Sequence, residues 1–404
     1  MSKQAVNPEA KDYYSRGRQA LRSRSEEALS RARSCFQSAL DVDPGFAPAY
    51  SGLADAYTLL YIYHMLPRDE GFPKAKAAAE KAMQLDDSLA EVHATLGHIS
   101  KVFDGDLEKA EQEYMRAISI DPEYATAHHW YSALLNARGH FESALREVEQ
   151  ALCSDPESTT LRSGAGLLRA KLGHWDKAVA SFDKAVGIDP KSEMIRLNYA
   201  LVLAQMGRNE QGLHQVEKAL ELAPGSSFVK GVYGSLLYYD RQYDRAIAVL
   251  AQAIGQTVKP SPMGRLILGQ CYLEKGLYRD ALEQFCEAEE PSDTYTPGTD
   301  LSVVAASLRG IALARMGELD KARKILNDLA SQGDERAAEP CWFGLLCIAL
   351  GDRDRGFQSL EQAAGSGDMW LRYIRVQPLF DGIRSEPEYK ALVERMNLGD
   401  VQSA

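Results

Sequence analysis

The chain has 404 residues, 45% apolar and 25% charged, a balance that excludes disordered and fibrous classes and allows a packed core along its whole length. Its formal net charge of −11 repels a phosphate backbone, so direct binding of nucleic acid would need a basic stripe strong enough to reverse the global field. The six cysteines, Cys35, Cys153, Cys271, Cys286, Cys341 and Cys347, have neither C-x-x-C spacing nor histidine partners, which points away from zinc sites and disulfide frameworks and towards reduced thiols in the cytoplasm.

In chain order, the opening MSKQAVNPEAKDYY lacks the apolar core of a signal peptide. The longest apolar stretch, residues 341–350, is too short to span a bilayer, so no membrane helix is expected. Arg16, Arg18, Arg22, Arg24, Arg31 and Arg33 crowd the first segment, but Glu26 and Glu27 interrupt them and only Tyr13 and Tyr14 lie close by. That pattern reads as a solvated helix face rather than a nucleic-acid patch.

From there a repeat takes over. Pro122, Pro156, Pro190 and Pro224 follow one another at 34 residues, each after Asp or Ala, and Gly139, Gly173 and Gly207 keep the same interval. Ala144, Ala178, Gly212 and Ala246 form a third column in register. Outside this stretch, an alanine with a bulky residue four later and another alanine three beyond gives Ala32-Phe36-Ala39, Ala110-Tyr114-Ala117 and Ala281-Phe285-Ala288. About ten units result: eight within 1–292, and two divergent ones within 300–367 after a proline-rich break at 291–297.

Within residues 125–158, Trp130, Leu134 and Leu135 precede Gly139, and Phe141, Ala144, Leu145, Val148 and Leu152 follow it at helical spacing, which reads as helix, turn, helix. The glycine supplies the left-handed backbone that ends the first helix, and the proline opens the next unit without needing an amide donor. Gly17, Ala54, Gly97, Ser132, Gly166, Ala200, Gly234, Gly269, Gly310 and Gly344 are the small residues of successive first helices, where close helix approach leaves no room for more. The second unit carries an insertion at 59–73 with Tyr61, Tyr63 and Phe72, either a recognition loop or a lengthened first helix packed on its neighbours. Beyond the last unit, residues 369–398 read as a capping segment. Ser385 and Glu388 form a capping box there, with a stripe of Tyr389, Leu392, Val393 and Met396 facing in and Lys390, Glu394 and Arg395 facing out.

A small residue in the first helix, a glycine turn, Ala-x3-Phe, Ala and Asp-Pro at 34 residues resembles the tetratricopeptide repeat family, most closely over residues 90–253. The resemblance implies an all-α, right-handed α-solenoid whose first helices line the concave side. The two ends further resemble the edges of the tetratricopeptide halves of bacterial regulators with winged-helix, kinase or cyclase effectors. That implies either an effector-free relative or an excised sensory half.

Projected on that orientation, Leu167, Ala170, Met194, Leu197, Leu201, Phe228, Tyr238, Tyr239 and Leu266 make an apolar and aromatic stripe, expected to be a peptide groove. Phe228, Tyr238 and Tyr239 are expected to be open to a ligand, and Tyr238 and Tyr239 to be removable without loss of fold. The places where relatives hold acidic chaperone tails carry Tyr14, Arg18, Ser51, Asp55, Ala94 and His98, so that clamp is not carried over. His93, His98, His128 and His129 raise metal or acid-base chemistry, but no carboxylate or thiol stands at ligand spacing beside them. H-E-x-x-H, G-x-S-x-G and G-x-x-x-x-G-K are all missing. The sequence therefore predicts no enzyme, metal or cofactor, but a cytoplasmic scaffold for a protein or peptide with apolar anchors, and leaves open whether it is a homo-oligomer. A detached regulatory half is the alternative.

Overall fold

A computed structural model describes residues 7–21, 26–62, 65–256, 261–289, 301–331, 339–396 and 398. The expected break at 291–297 lies outside the described residues. Among those residues every regular element is a helix, and the chain divides into two compact bodies, Met1–Leu168 and Arg169–Ala404.

The N-terminal body holds α1 (Pro8–Ala20), α2 (Glu26–Val42), α3 (Ala47–Ile62), α4 (Arg68–Leu85), α5 (Ala90–Ile99), α6 (Leu107–Ile120), α7 (Ala125–Ala137) and α8 (Phe141–Ser154). Helix α9 (Thr159–Lys171) runs across the boundary. The C-terminal body continues with α10 (Trp175–Ile188), α11 (Glu193–Gln205), α12 (Asn209–Leu222), α13 (Ser227–Tyr239), α14 (Tyr243–Gly255), α15 (Pro262–Glu274) and α16 (Tyr278–Ala288). It ends with α17 (Leu301–Arg315), α18 (Leu319–Ser331), α19 (Pro340–Ala349), α20 (Arg353–Ser366) and the short α21 (Pro387–Arg395).

Within each body the helices pair in sequence order. A first helix such as α11 packs on its own second helix, α12, and on the next first helix, α13, while α12 also leans on α13. The two kinds of helix are buried differently. The second helix α14 hides one stripe, Ala246, Leu250 and Ala253, whereas the first helix α13 hides Val229, Tyr233, Leu236, Leu237, Tyr238 and Tyr239 on several sides.

Gly139, Gly173 and Gly207 end first helices with φ of 79°, 75° and 78°, the left-handed geometry expected of them. At the next position of that column stands Arg241, with φ of 60°, the one non-glycine residue at positive φ among the described residues. A side chain there costs about 1 to 2 kcal/mol.

The insertion lengthens helices. α3 extends to Ile62 and α4 starts at Arg68, and the rings of Tyr61 and Phe72 each lie 4.9 Å from Phe103. Phe103 reaches them because a π-helical turn, Ser100–Asp104, widens the end of the third first helix before Gly105 closes it. At the other end, α21 buries Tyr389 and Leu392 and exposes Lys390, Glu394 and Arg395 as expected, but its N-cap is Glu386, without a side-chain cap bond, so the Ser385–Glu388 capping box does not form.

The small-residue column is filled by bulk from other helices of its body. A methyl carbon added at Gly269 would sit 2.5 Å from the Phe285 ring, and one at Gly234 would sit 2.4 Å from Leu250. Alanine should gain up to about 1 kcal/mol of helix propensity and lose about 1 to 3 kcal/mol to overpacking. Gly269→Ala is therefore expected to lower the urea midpoint of the C-terminal body. A midpoint equal to or above wild type would show that the helices have room to part.

Candidate functional site

Each first helix from the third unit to the eighth carries a nitrogen base four residues before its small residue: His93, His128, Arg162, Arg196, Lys230 and Arg265. These side chains tie helices and turns together. His93 bonds through Nδ1 to Glu113 at 2.7 Å and through Nε2 to the Asp87 carbonyl at 2.9 Å, and His128 does the same with Glu147 at 2.6 Å and the Pro122 carbonyl at 2.9 Å. Arg196 repeats the pattern with Gln215 at 2.8 Å and the Pro190 carbonyl at 2.9 Å, and Lys230 reaches Gln256 at 2.8 Å. The carboxylates missing at ligand spacing thus come from the second helices, as ion-pair partners. Among the described residues no group of three or more His, Cys, Asp or Glu converges as a metal site.

The polar residues at the chaperone-clamp positions bond to one another. Arg18 on α1 reaches Asp55 on α3 at 3.2 Å, and Tyr124 and Thr126 at the start of α7 at 3.2 and 3.0 Å. Asp55 accepts from Thr95 at 2.8 Å, whose hydroxyl lies 2.7 Å from that of Ser51. Tyr14, Arg18, Tyr124 and Trp130 line a cavity of about 740 Å³ in the N-terminal body. Burial pushes the Tyr14 phenol up to about 12.

The apolar stripe expected as a groove divides three ways. Met194 and Phe228, each second in its helix, are 44% and 59% exposed. Leu167 on α9 and Leu201 on α11 are half-buried, Ala170 is buried, and Leu197 and Leu266 are buried in their helix layer. Tyr238 and Tyr239, expected to be open, are 0% and 4% exposed, because the chain's own C-terminal segment lies on them. The Tyr373 ring stacks on Tyr239 at 5.1 Å and 16°. The Tyr238 hydroxyl donates to the Gln377 side-chain oxygen Oε1 at 2.5 Å, and the Gln377 side-chain nitrogen donates to Gln270 on α15 at 3.0 Å. Gln205 donates to the Tyr373 hydroxyl at 3.3 Å, and Val376 joins the cluster of Leu197, Leu236, Leu237, Ile267 and Cys271.

Arg241 fastens the same segment. Its guanidinium donates to the Val376 carbonyl at 3.1 Å and pairs with Asp381 at 2.7 Å. Burial holds the Tyr238, Tyr239 and Tyr373 phenols above their ordinary pKa, so they dock as neutral groups. Removing both Tyr238 and Tyr239 would hollow this layer at about 3 to 5 kcal/mol each. It would not spare the fold, contrary to the expectation from sequence. No local pattern marks the C-terminal segment as a cover, but the arginine in a glycine column was a readable signal.

Stacked antiparallel helix pairs with a polypeptide-holding face define a helical-repeat interaction scaffold. Profiles of the tetratricopeptide repeat match residues 90–124, 134–193 and 234–296, so these stretches carry tetratricopeptide repeats. No curated protein matches it. Among solved structures it is similar to a tetratricopeptide repeat protein of Parabacteroides merdae, at 17% identity and a TM-score of 0.46 over 76% of this chain and all of that one. A monomeric IFIT1 mutant solved with m7Gppp-AAAA shares 17% identity at a TM-score of 0.50 over 69% of this chain and 71% of that one. YrrB, described as a TPR protein with an unusual peptide-binding site, shares 21% identity at a TM-score of 0.34 over 48% of this chain and 95% of that one. None of the described helices is long and apolar enough to cross a membrane.

The hydrogen bond that His128 donates to Glu147, helped by the Pro122 carbonyl and opposed by burial, raises the pKa of His128. Its unfolded value is about 6.5. The stabilisation is therefore fully present below that value and lost as pH rises through the higher folded one. His128→Arg, which copies its counterparts at 162, 196 and 265, is expected to melt with the wild type at about pH 6 and above it at about pH 8.5. Parallel melting curves at all pH values would contradict the clamp.

Proposed function

We propose that the protein is a non-catalytic cytoplasmic scaffold that takes an apolar segment of another protein on the first-helix face of its C-terminal body. Leu197, Leu201, Tyr238, Tyr239 and Leu266 form the floor of that trough, and Met194 and Phe228 its open edge. The observation that carries the reading is that the face already receives a polypeptide: Tyr373, Val376 and Gln377 fill it with an aromatic ring, an aliphatic side chain and a bonded amide. Such a surface suits a partner with a few large anchors, because aromatic contacts give much area at low entropic cost. A nucleic acid does not fit an apolar floor in a chain of net charge −11.

The exposed edge offers the cleanest test, since Met194 and Phe228 lie outside the core. Affinity capture from the source cells with wild type and with Met194→Asp/Phe228→Asp should yield a partner that the variant loses by about tenfold or more, at an unchanged melting temperature. Equal recovery of every captured protein by the two would remove the trough from consideration.

A further inference from the structure

We infer that residues 370–384 are a built-in competitor for the partner segment, and that the partner presents an aromatic side chain, an aliphatic one three residues on and a Gln or Asn at the fourth. The inference rests on the trough reading above and specifies what the trough selects.

The docked side chains are Tyr373, Val376 and Gln377, one helical turn in all. The aromatic lies flat on Tyr239. The amide is the selective element. Its oxygen accepts from Tyr238 while its nitrogen donates to Gln270, so the buried phenol and the buried glutamine are satisfied by one side chain that both donates and accepts. A carboxylate or an aliphatic group at that place would leave Gln270 or Tyr238 without its bond, at the cost of an unpaired buried polar group.

The segment is built to leave without unravelling. Its backbone has only two short 3-10 turns, Leu371–Tyr373 and Pro378–Ile383, and its second face is closed by its own neighbours. The Ile374 carbonyl accepts from Arg384 at 3.2 Å and from Tyr389 at 3.1 Å, and Leu371, Ile374 and Phe380 are buried. Undocking therefore frees Tyr373, Val376 and Gln377 while this second face stays closed.

Arg241 is the latch. In the equivalent turns of three preceding repeats the place belongs to a glycine, and here an arginine holds the left-handed backbone at φ of 60° while gripping Val376 and Asp381. Local strain kept where a side chain fastens a movable segment indicates a role for that side chain beyond the turn. Both partners of the Arg241–Asp381 pair are about two-fifths exposed, so the grip is weak enough to be released.

The test uses the full-length chain and a fluorescein-labelled synthetic peptide of residues 369–384. Tyr373→Ala/Gln377→Ala alters only the docked segment, and Arg241→Gly restores the repeat's own turn residue. Trypsin cleavage after Arg372 and Arg375 reports release independently. Both variants are expected to be cut faster than wild type, and Tyr373→Ala/Gln377→Ala to bind the peptide about tenfold more tightly, because the self-occupied fraction no longer masks the site; Arg241→Gly, which also loses the grip on Val376 and Asp381 of the peptide itself, is read by cleavage alone. A peptide with Gln377→Ala should bind Tyr373→Ala/Gln377→Ala about tenfold more weakly than the unaltered peptide does. A segment that stays resistant to trypsin in both variants overturns the competitor, as does release of the Tyr373→Ala/Gln377→Ala segment without tighter peptide binding. If that failure comes while Met194→Asp/Phe228→Asp still abolishes partner capture, only the competitor is lost. If capture is also unaffected, the trough reading falls with it.

Discussion

The structure depends on an asymmetry between the two helices of each repeat. A second helix hides a single stripe, as α12 does with Gly212, Val216 and Ala219. A first helix is apolar on several sides, as α11 is with Ile195, Leu197, Tyr199, Ala200, Val202, Leu203 and Ala204. Its own second helix and the next repeat cover two of those sides, and the remainder must be covered by something else or left to water. In the C-terminal body the cover is residues 373–377, which turn back onto α11, α13 and α15 after the last helix pair.

Specificity in such a contact comes from its few polar groups. Apolar area alone would accept many segments, but the Tyr238–Gln377–Gln270 relay accepts only a group that donates and accepts together. The N-terminal body treats the corresponding face differently. There Arg18, Asp55, Thr95 and Ser51 satisfy one another across α1, α3 and α5, and the cavity beside them is lined by polar as well as aromatic groups. The two bodies share a repeat and differ in what their first helices ask of a ligand.

The repeat was legible because its signals are local. Glycines at 34-residue spacing fix left-handed turns, and small residues mark where Phe36, Phe285 or Leu250 must enter a neighbouring helix. The helical nature of residues 47–62 and 68–85 followed from the same spacing, with Tyr61 and Phe72 packed on Phe103 rather than held out as a loop. The covering of Tyr238 and Tyr239 was not legible, because their partners stand more than 130 residues further along and no periodicity links them. The basic column from His93 to Arg265 keeps the repeat interval but changes residue type along the way, so it is hidden from any search for a repeated residue type. The Gly-to-Arg change at 241 was visible in the sequence, and it marks the residue that grips the covering segment.

The most direct measurement is hydrogen exchange on the intact chain, read at the amides of Tyr373, Val376 and Gln377. These amides bond to the carbonyls of Trp370 and Tyr373 in turns too short to be stable alone, so packing of the segment on the helices around it, α11, α13 and α15 among them, must slow them. The account predicts exchange far slower than in the free peptide of the same sequence, and faster exchange once Arg241 is glycine. Exchange at the free-peptide rate in the wild-type chain would contradict it.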